Sequence, residues 1–135
     1  MKRLILPVLF LAVVVLGYMQ KELIAAAFQT NPFQGSAESV ARGEATWTAH
    51  CQVCHGSDGE GNGPASAQLS AKPKDLTMVA RAPVFPDGIL AFRISEGKNT
   101  MPAWKQAFTP DEIWDLVSYI RSKSKKAAKT LILSF

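Results

Sequence analysis

The sequence predicts an all-α fold, and three observations carry that expectation. A capping box opens a strongly periodic apolar segment toward the C-terminus. A second segment with helical period runs into the only two cysteines of the chain. No segment alternates apolar and polar residues as a half-buried strand would, and no internal repeat is visible.

The elements follow in chain order. Lys2 and Arg3 precede sixteen uncharged, apolar residues from Leu4 to Met19. A charged start followed by an apolar run suits a secretory signal, whereas a membrane span needs about 20 such residues, with a range of roughly 17 to 25. The apolar character resumes from Leu23 to Phe28, and the A-x-A site at Ala25-Ala26-Ala27 lies far beyond the run. A retained anchor over residues 1–28 is therefore the expectation, with a cleaved signal as the alternative. No cysteine lies near the run, which excludes lipid attachment through an N-terminal cysteine. Under either reading Lys2 and Arg3 stay inside and the rest of the chain lies outside, on the periplasmic or outer side.

Residues 29–35 read as a linker by composition. A first helix is expected from Ala37 to about Cys51. Ser36 is its N-cap, Glu38 sits in the first turn, and Val40, Gly43, Trp47 and Cys51 share one face. A glycine inside a helix costs about 1 kcal/mol against alanine, so Gly43 on the apolar face suggests a close helix crossing. Gly56 to Gly63 is a glycine-rich loop. A short helical stretch from Pro64 to Ala71 and a wrapping loop from Lys72 to Pro86 follow. Asp87 is expected to cap a helix from Gly88 to about Glu96, with Ile89, Leu90, Phe92 and Ile94 inward and Gly97 ending it. Lys98 to Phe108 is another loop. Thr109-Pro110-Asp111-Glu112 forms the capping box of the last helix, with proline at its first position. Ile113, Leu116, Val117 and Ile120 follow at helical spacing, and Trp114 and Tyr119 widen the stripe.

The net charge of +4 is distributed unevenly. Between Ser36 and Arg121 eight Lys or Arg face ten Asp or Glu, whereas the last fourteen residues carry four lysines and no acid. The folded part is mildly acidic and has no evident basic face, so nucleic-acid binding is a poor inference. The basic segment 123–135 is expected to dock on a partner or a membrane surface rather than on the folded domain of residues 36–122; a solvated chain end is the alternative.

Cys51 and Cys54 are too close for a disulfide that closes a long loop. A zinc site needs about four ligands, and the only Cys and His residues are crowded between His50 and His55. A thioredoxin-like pair needs a βαβ context that the flanks do not supply. The full motif Cys51-Gln52-Val53-Cys54-His55 is the attachment signature of a c-type haem. One helical turn presents both thiols to the haem vinyl groups and places His55 under the iron. His50 reads as an exposed or partly packed helix residue. The sixth ligand must come from elsewhere, and Met78 and Met101 are the candidates. Met78, in Leu76-Thr77-Met78-Val79, suits core packing. Met101, in the polar loop Gly97-Lys98-Asn99-Thr100-Met101-Pro102, is an odd place to bury a methionine for packing alone and is the expected ligand. One haem c per chain would also complete a core that roughly ninety folded residues leave marginal.

On these residues the chain resembles class I cytochromes c from about Ser36 to Ser122. Gly43 and Trp47 stand before the haem motif and Gly56, Gly59 and Gly63-Pro64 after it. Asp75-Leu76-Thr77, Asp87-Gly88, Met101-Pro102-Ala103-Trp104 and Trp114-x-x-Val117-x-Tyr119-Ile120 complete the match. The resemblance implies a small cytochrome c fold, its first and last helices crossing around one covalent haem, preceded here by the N-terminal apolar helix. Gly43 and Trp47 would meet Trp114 and Val117. It also implies that the Pro64 carbonyl accepts a hydrogen bond from the His55 ring. Trp104, Arg81 and Arg93 are candidates to contact haem propionates. The Met-Pro-Ala-Trp form and the Asp-Leu-Thr loop are similar to monohaem subunits of membrane quinol-oxidising complexes, including alternative complex III.

The function implied is electron transfer rather than catalysis, with redox proteins of a respiratory or photosynthetic membrane complex as partners. A haem enzyme or gas sensor with a labile methionine is the alternative. It is disfavoured because no acid–base His or Arg stands near Met101.

Overall fold

The computed structural model describes residues 2–79 and 85–133. Among these the chain is helical, with one isolated bridge between Lys98 and Met101 in place of any strand. The helices are α1 (Lys2–Met19), α2 (Lys21–Ala27), α3 (Ala37–His50), α4 (Gln52–His55), α5 (Leu76–Val79), α6 (Asp87–Glu96) and α7 (Pro110–Leu133).

The architecture rests on the crossing of α3 and α7. Ser36 caps α3 through its side chain, which accepts from the Ser39 N–H. The capping box of α7 forms in full. The Thr109 N–H donates to Glu112 Oε2 at 2.8 Å, and the Glu112 N–H donates to Thr109 Oγ1 at 3.3 Å. Ile113, Leu116, Val117 and Ile120 are all buried, as their spacing requires. A Cβ at Gly43 would overlap the Asp115 carbonyl and come within 3.0 Å of the Tyr119 Cβ, so only glycine permits this approach. The register differs from expectation. Gly43 meets Asp115 and Tyr119 rather than Trp114 and Val117, because residues four apart on α7 form the ridge that the gap at Gly43 receives.

A buried polar cluster locks the crossing. Ser39 Oγ donates to Asp115 Oδ1 at 2.6 Å and lies 2.9 Å from Ser118 Oγ. Arg42 grips the same carboxylate with Nε at 2.7 Å and a second nitrogen at 2.8 Å. The segment 29–35 is irregular, but it is not a free spacer. Asn31 is buried, and its Nδ2 donates to Ser118 Oγ at 2.8 Å. A single asparagine thus satisfies a cluster that composition alone could not reveal.

Other expectations are corrected. The helical stretch expected from Pro64 to Ala71 is a 3₁₀ turn at Ser66–Gln68, and the wrapping loop contains α5. Asp87 does not cap α6. It is the first helical residue, Pro86 takes the cap position, and the carboxylate pairs with Arg121 Nε at 2.6 Å. Arg121 also donates to the Phe85 carbonyl. On α6 Gly88, Leu90, Ala91 and Ile94 are the buried positions, with Ile89 and Phe92 only half-buried. Met78 is 60% exposed rather than a core filler.

At the N-terminus the side chains from Leu6 to Leu16, and that of Tyr18, are largely exposed. No single helix is long and apolar enough to cross a membrane by the usual hydropathy test among the described residues. Leu6–Tyr18 and Lys21–Ala27 pass it together but are bent by 61°. The renewed apolar run at Leu23 to Phe28 does not extend α1. It forms α2, which packs on α6. At the other end α7 continues unbroken past residue 122 to Leu133. Lys123, the first residue of the expected tail, folds back on the domain, its Nζ 2.7 Å from the Ser57 carbonyl. The later lysine side chains lie outside the described residues.

Candidate haem site

The motif sits on α4, a helix of four residues. So short a helix leaves nearly all its carbonyls without intrahelical partners. The loop that follows answers them in alternation. Ala65, Gly63 and Gly61 donate their N–H groups to the carbonyls of Val53, Cys54 and His55 at 2.9, 3.2 and 2.9 Å. A Cβ at Gly63 would press on the backbone of α4, and one at Gly61 would overlap the Pro73 carbonyl. Gly63 belongs to the Gly63-Pro64 pair of the resemblance, whereas Gly61 is a functional residue that the sequence showed only as loop composition. From the other side Trp47 Nε1 donates to the Gly56 carbonyl at 3.2 Å, and its ring lies 5.7 Å from that of His55. The motif is therefore held between the α3–α7 crossing and the glycine loop.

His55 and Cys51 open into an apolar cleft walled by Leu76, Leu90, Ile94, Leu116 and Ile120. Met101 lines the same cleft, so the structure brings together the two ligands expected from distant segments. Met101 is positioned by a tight turn. Lys98 and Met101 exchange both backbone hydrogen bonds at 3.1 and 3.0 Å, with Gly97 at φ +70° and Asn99 at φ 55°. Trp104 and Arg93 also reach the cleft. Trp104 stacks on Phe108 with ring centroids 4.9 Å apart, and the exposed His50 ring lies against both. Met78 does not line the cleft. Arg81 lies outside the described residues.

The electrostatics suit a haem. Burial holds the His55 imidazole below its ordinary pKa, with the Lys74 backbone opposing, which favours the neutral ring that iron ligation requires. Its Nδ1 is buried without a hydrogen-bond partner. The expected bond to the Pro64 carbonyl is not made, although the hydrogen bonds of Gly63 and Ala65 hold Pro64 beside the motif. Burial, with Cys54 adding to it, pushes the Cys51 thiol up to about 11. Among the described residues no three of His, Cys, Asp and Glu converge as a metal cluster would require. One imidazole nitrogen, one thioether sulfur, two adjacent thiols and apolar walls are the donor set of a covalent haem rather than of a bare ion.

Comparison with known proteins agrees with this reading. Residues 38–120 match the family described as "Cytochrome C oxidase, cbb3-type, subunit III". Cytochrome c6 of Nostoc sp. PCC 7120 is 32% identical over 89 residues, 66% of this chain and 74% of that protein. Cytochrome c6 of Gloeothece citriformis is 26% identical over 126 residues, 93% of this chain and 98% of that protein. Among solved structures, a chain of the reducing HAO-like protein complex of Kuenenia stuttgartiensis superposes with a TM-score of 0.61 at 24% identity. The match covers 68% of this chain and 46% of that one, and it is a likeness of fold. With 38–120 matched to that family and a haem c motif facing a methionine across an apolar cleft, the chain belongs to the cbb3-type cytochrome c family and is a class I c-type cytochrome that carries covalent haem c and serves haem-based electron transfer.

Proposed function

We propose that this cytochrome is an electron carrier rather than an enzyme, held on the extracytoplasmic side of a membrane by α1, and that it passes electrons between redox proteins of a membrane complex. The observation that carries the reading is the convergence of His55 and Met101 on one apolar cleft. Cys51 and Cys54 would form the thioethers, and His55 and Met101 the axial ligands. The bound haem supplies a one-electron couple, and Met/His ligation raises its potential. The protein's part is to hold both ligands fixed in either oxidation state and to exclude water. Gly61, Gly63 and Trp47 fix His55 from behind, and the Lys98–Met101 turn fixes the thioether. Pro64 is the acceptor proposed for His55 Nδ1, which would set the ring tautomer. Arg93 and Trp104 are the cleft residues placed to meet propionates. An iron with both axial positions filled has no site for a substrate.

Replacement of Met101 and of Met78 by alanine in the full-length holoprotein tests this. Met101→Ala should abolish the weak ferric charge-transfer band of thioether ligation. It should also lower the potential by on the order of 100 mV or more, within the ~0.8 V that axial ligands command. Met78→Ala should leave both unchanged. An unaltered spectrum in Met101→Ala removes Met101 from the ligand set. Membrane attachment is supported by the exposed apolar side chains of α1 and by the apolar composition that α1 and α2 reach together across their 61° bend. Intact mass and membrane fractionation of the native protein test it. A mature chain beginning at or near Phe28 would replace the anchor by a cleaved signal.

A further inference from the structure

Helix α6 has two working faces. Leu90, Arg93 and Ile94 line the haem cleft, while Ala91, Phe92 and Ser95 face a groove whose other wall is α2, at Ala25 and Ala26. The contact is built into the backbone. A Cβ at Gly88 would overlap the Ala26 carbonyl and lie 2.9 Å from the Gln29 Cβ. Gly88 is helical and not among the positive-φ residues, so chain conformation does not call for glycine there; close approach of α2 does. Ala26 is only 4% exposed. Five residues later Asn31 fastens the chain a second time, donating to Ser118 Oγ at 2.8 Å and to the Trp114 carbonyl at 3.4 Å, while its Oδ1 accepts from the Phe33 N–H. Between α1 and α2 stands Gln20 alone. Its N–H donates to the Leu16 and Gly17 carbonyls, and its carbonyl accepts from Ile24.

We infer that α2 and Asn31 form a docking element of the haem domain, so that the domain rides on α1 at a fixed orientation and short reach instead of swinging on a leash. The first clause stands on the contacts above, and the second rests on α1 being the membrane anchor. A free segment over residues 20–35 would let the domain wander by roughly 20 Å. A docked α2 leaves one residue of connection, so the cleft is presented at a constant height and angle to a neighbouring redox protein. Such a carrier serves partners fixed beside it in the same membrane rather than partners met by diffusion.

The test uses the full-length holoprotein in lipid nanodiscs, with spin labels on cysteines introduced at the exposed positions Ile24 and Lys98 and distances measured by pulsed electron resonance. The native cysteines are held as thioethers and do not label. A single narrow distance is expected. Gly88→Ala should broaden it toward the ~20 Å spread of a free segment while leaving the haem spectrum unchanged. The same substitution in a chain lacking residues 1–27 should lower the midpoint of unfolding far less than in the full chain, since the Ala26 carbonyl is then gone and Gln29, left beside the chain end, can give way. Asn31→Ala should broaden the distance likewise. A broad distribution in the parent protein overturns the proposal, as does a mature chain beginning at Phe28. A narrow distribution that Gly88→Ala leaves unmoved overturns the assigned contact. A narrow distance in an intact chain that stays out of the nanodisc upholds the docking and overturns the anchoring.

Discussion

Lys98 and Met101 close a four-residue turn by donating to each other's carbonyls, and Gly97 before them stands at φ +70°. A Cβ at Gly97 would lie 2.5 Å from the Met101 carbonyl and 2.7 Å from the Pro102 carbonyl carbon. The thioether is thus aimed by backbone geometry three and four residues away. Gly97→Ala should destabilise the protein by about 1–3 kcal/mol or more, since φ 70° with ψ 179° is a conformation essentially reserved to glycine and costs other residues of that order before any clash. It should also weaken the methionine–iron band, and denaturant titration followed in the visible spectrum reads both effects. Asn99→Gly, at φ 55° in the same turn, should be close to neutral.

Gly43 sets how closely α3 approaches α7. Gly43→Ala raises helix propensity by about 1 kcal/mol, yet the added methyl meets the Asp115 backbone, which cannot yield without opening the crossing. The expected outcome is a net loss of about 1–3 kcal/mol, measured by guanidinium unfolding of the holoprotein. A gain in stability would show that the crossing is looser than described.

Ser39 is fully buried between Asp115 and Ser118. Ser39→Ala removes two hydrogen bonds, but Asp115 Oδ1 keeps Arg42 and Ser118 Oγ keeps Asn31, so the cost should be about 0.5–1.5 kcal/mol. Ser39→Thr keeps the hydroxyl but adds a methyl to a site with no exposed surface, so it should recover only part of the loss. Thermal unfolding of the two variants side by side separates the hydrogen bond from the packing.

Glu112 offers an acid-side signature. The backbone N–H of Thr109, and next its hydroxyl, hold this carboxylate below its ordinary pKa in the folded protein. A depressed folded-state value means that its contribution is fully present above the unfolded value of 4.5 and is lost as pH falls through the folded value. Glu112→Gln should therefore reduce the loss of stability on acidification below about pH 4.5 and leave the slope at neutral pH unchanged. Glu38 at the start of α3 is lowered in the same sense, by its own backbone N–H first and the Ser36 hydroxyl second, so the double variant should flatten the acid limb further.

The features legible in the sequence are those whose cause is local. The haem motif, the Thr109–Glu112 box and the stripe from Ile113 to Ile120 each complete their pattern within a dozen residues. Gly43 announced a close crossing because a glycine in a helix face needs a reason, though its partners on α7 depended on a register that no local pattern encodes. Asp87 shows the limit from the other side. Its position before a helix reads as a cap, and only the fold brings Arg121, 34 positions away, to claim the carboxylate. Asn31 looked like linker composition because its partner Ser118 is 87 positions distant. Gly63 was legible through the Gly63-Pro64 match and Gly61 only as a loop residue, because the carbonyls they answer become their partners only when the loop folds back on α4.

The hydrogen bond between Asn31 and Ser118 ties the chain's entry into the cytochrome unit to the last core turns of α7, which continue through Tyr119, Ile120 and Arg121. A unit whose ends lie this close can be spliced into another polypeptide without stretching either flank, the geometry in which domain insertion and permutation are tolerated. The likeness of this fold to 46% of a longer chain in the HAO-like complex is a case where such a unit stands within a larger protein. The portable part of this cytochrome is thus defined by where its two ends are tied, and what is appended beyond the knot, an apolar helix here, can change from one architecture to another while the haem cleft stays intact.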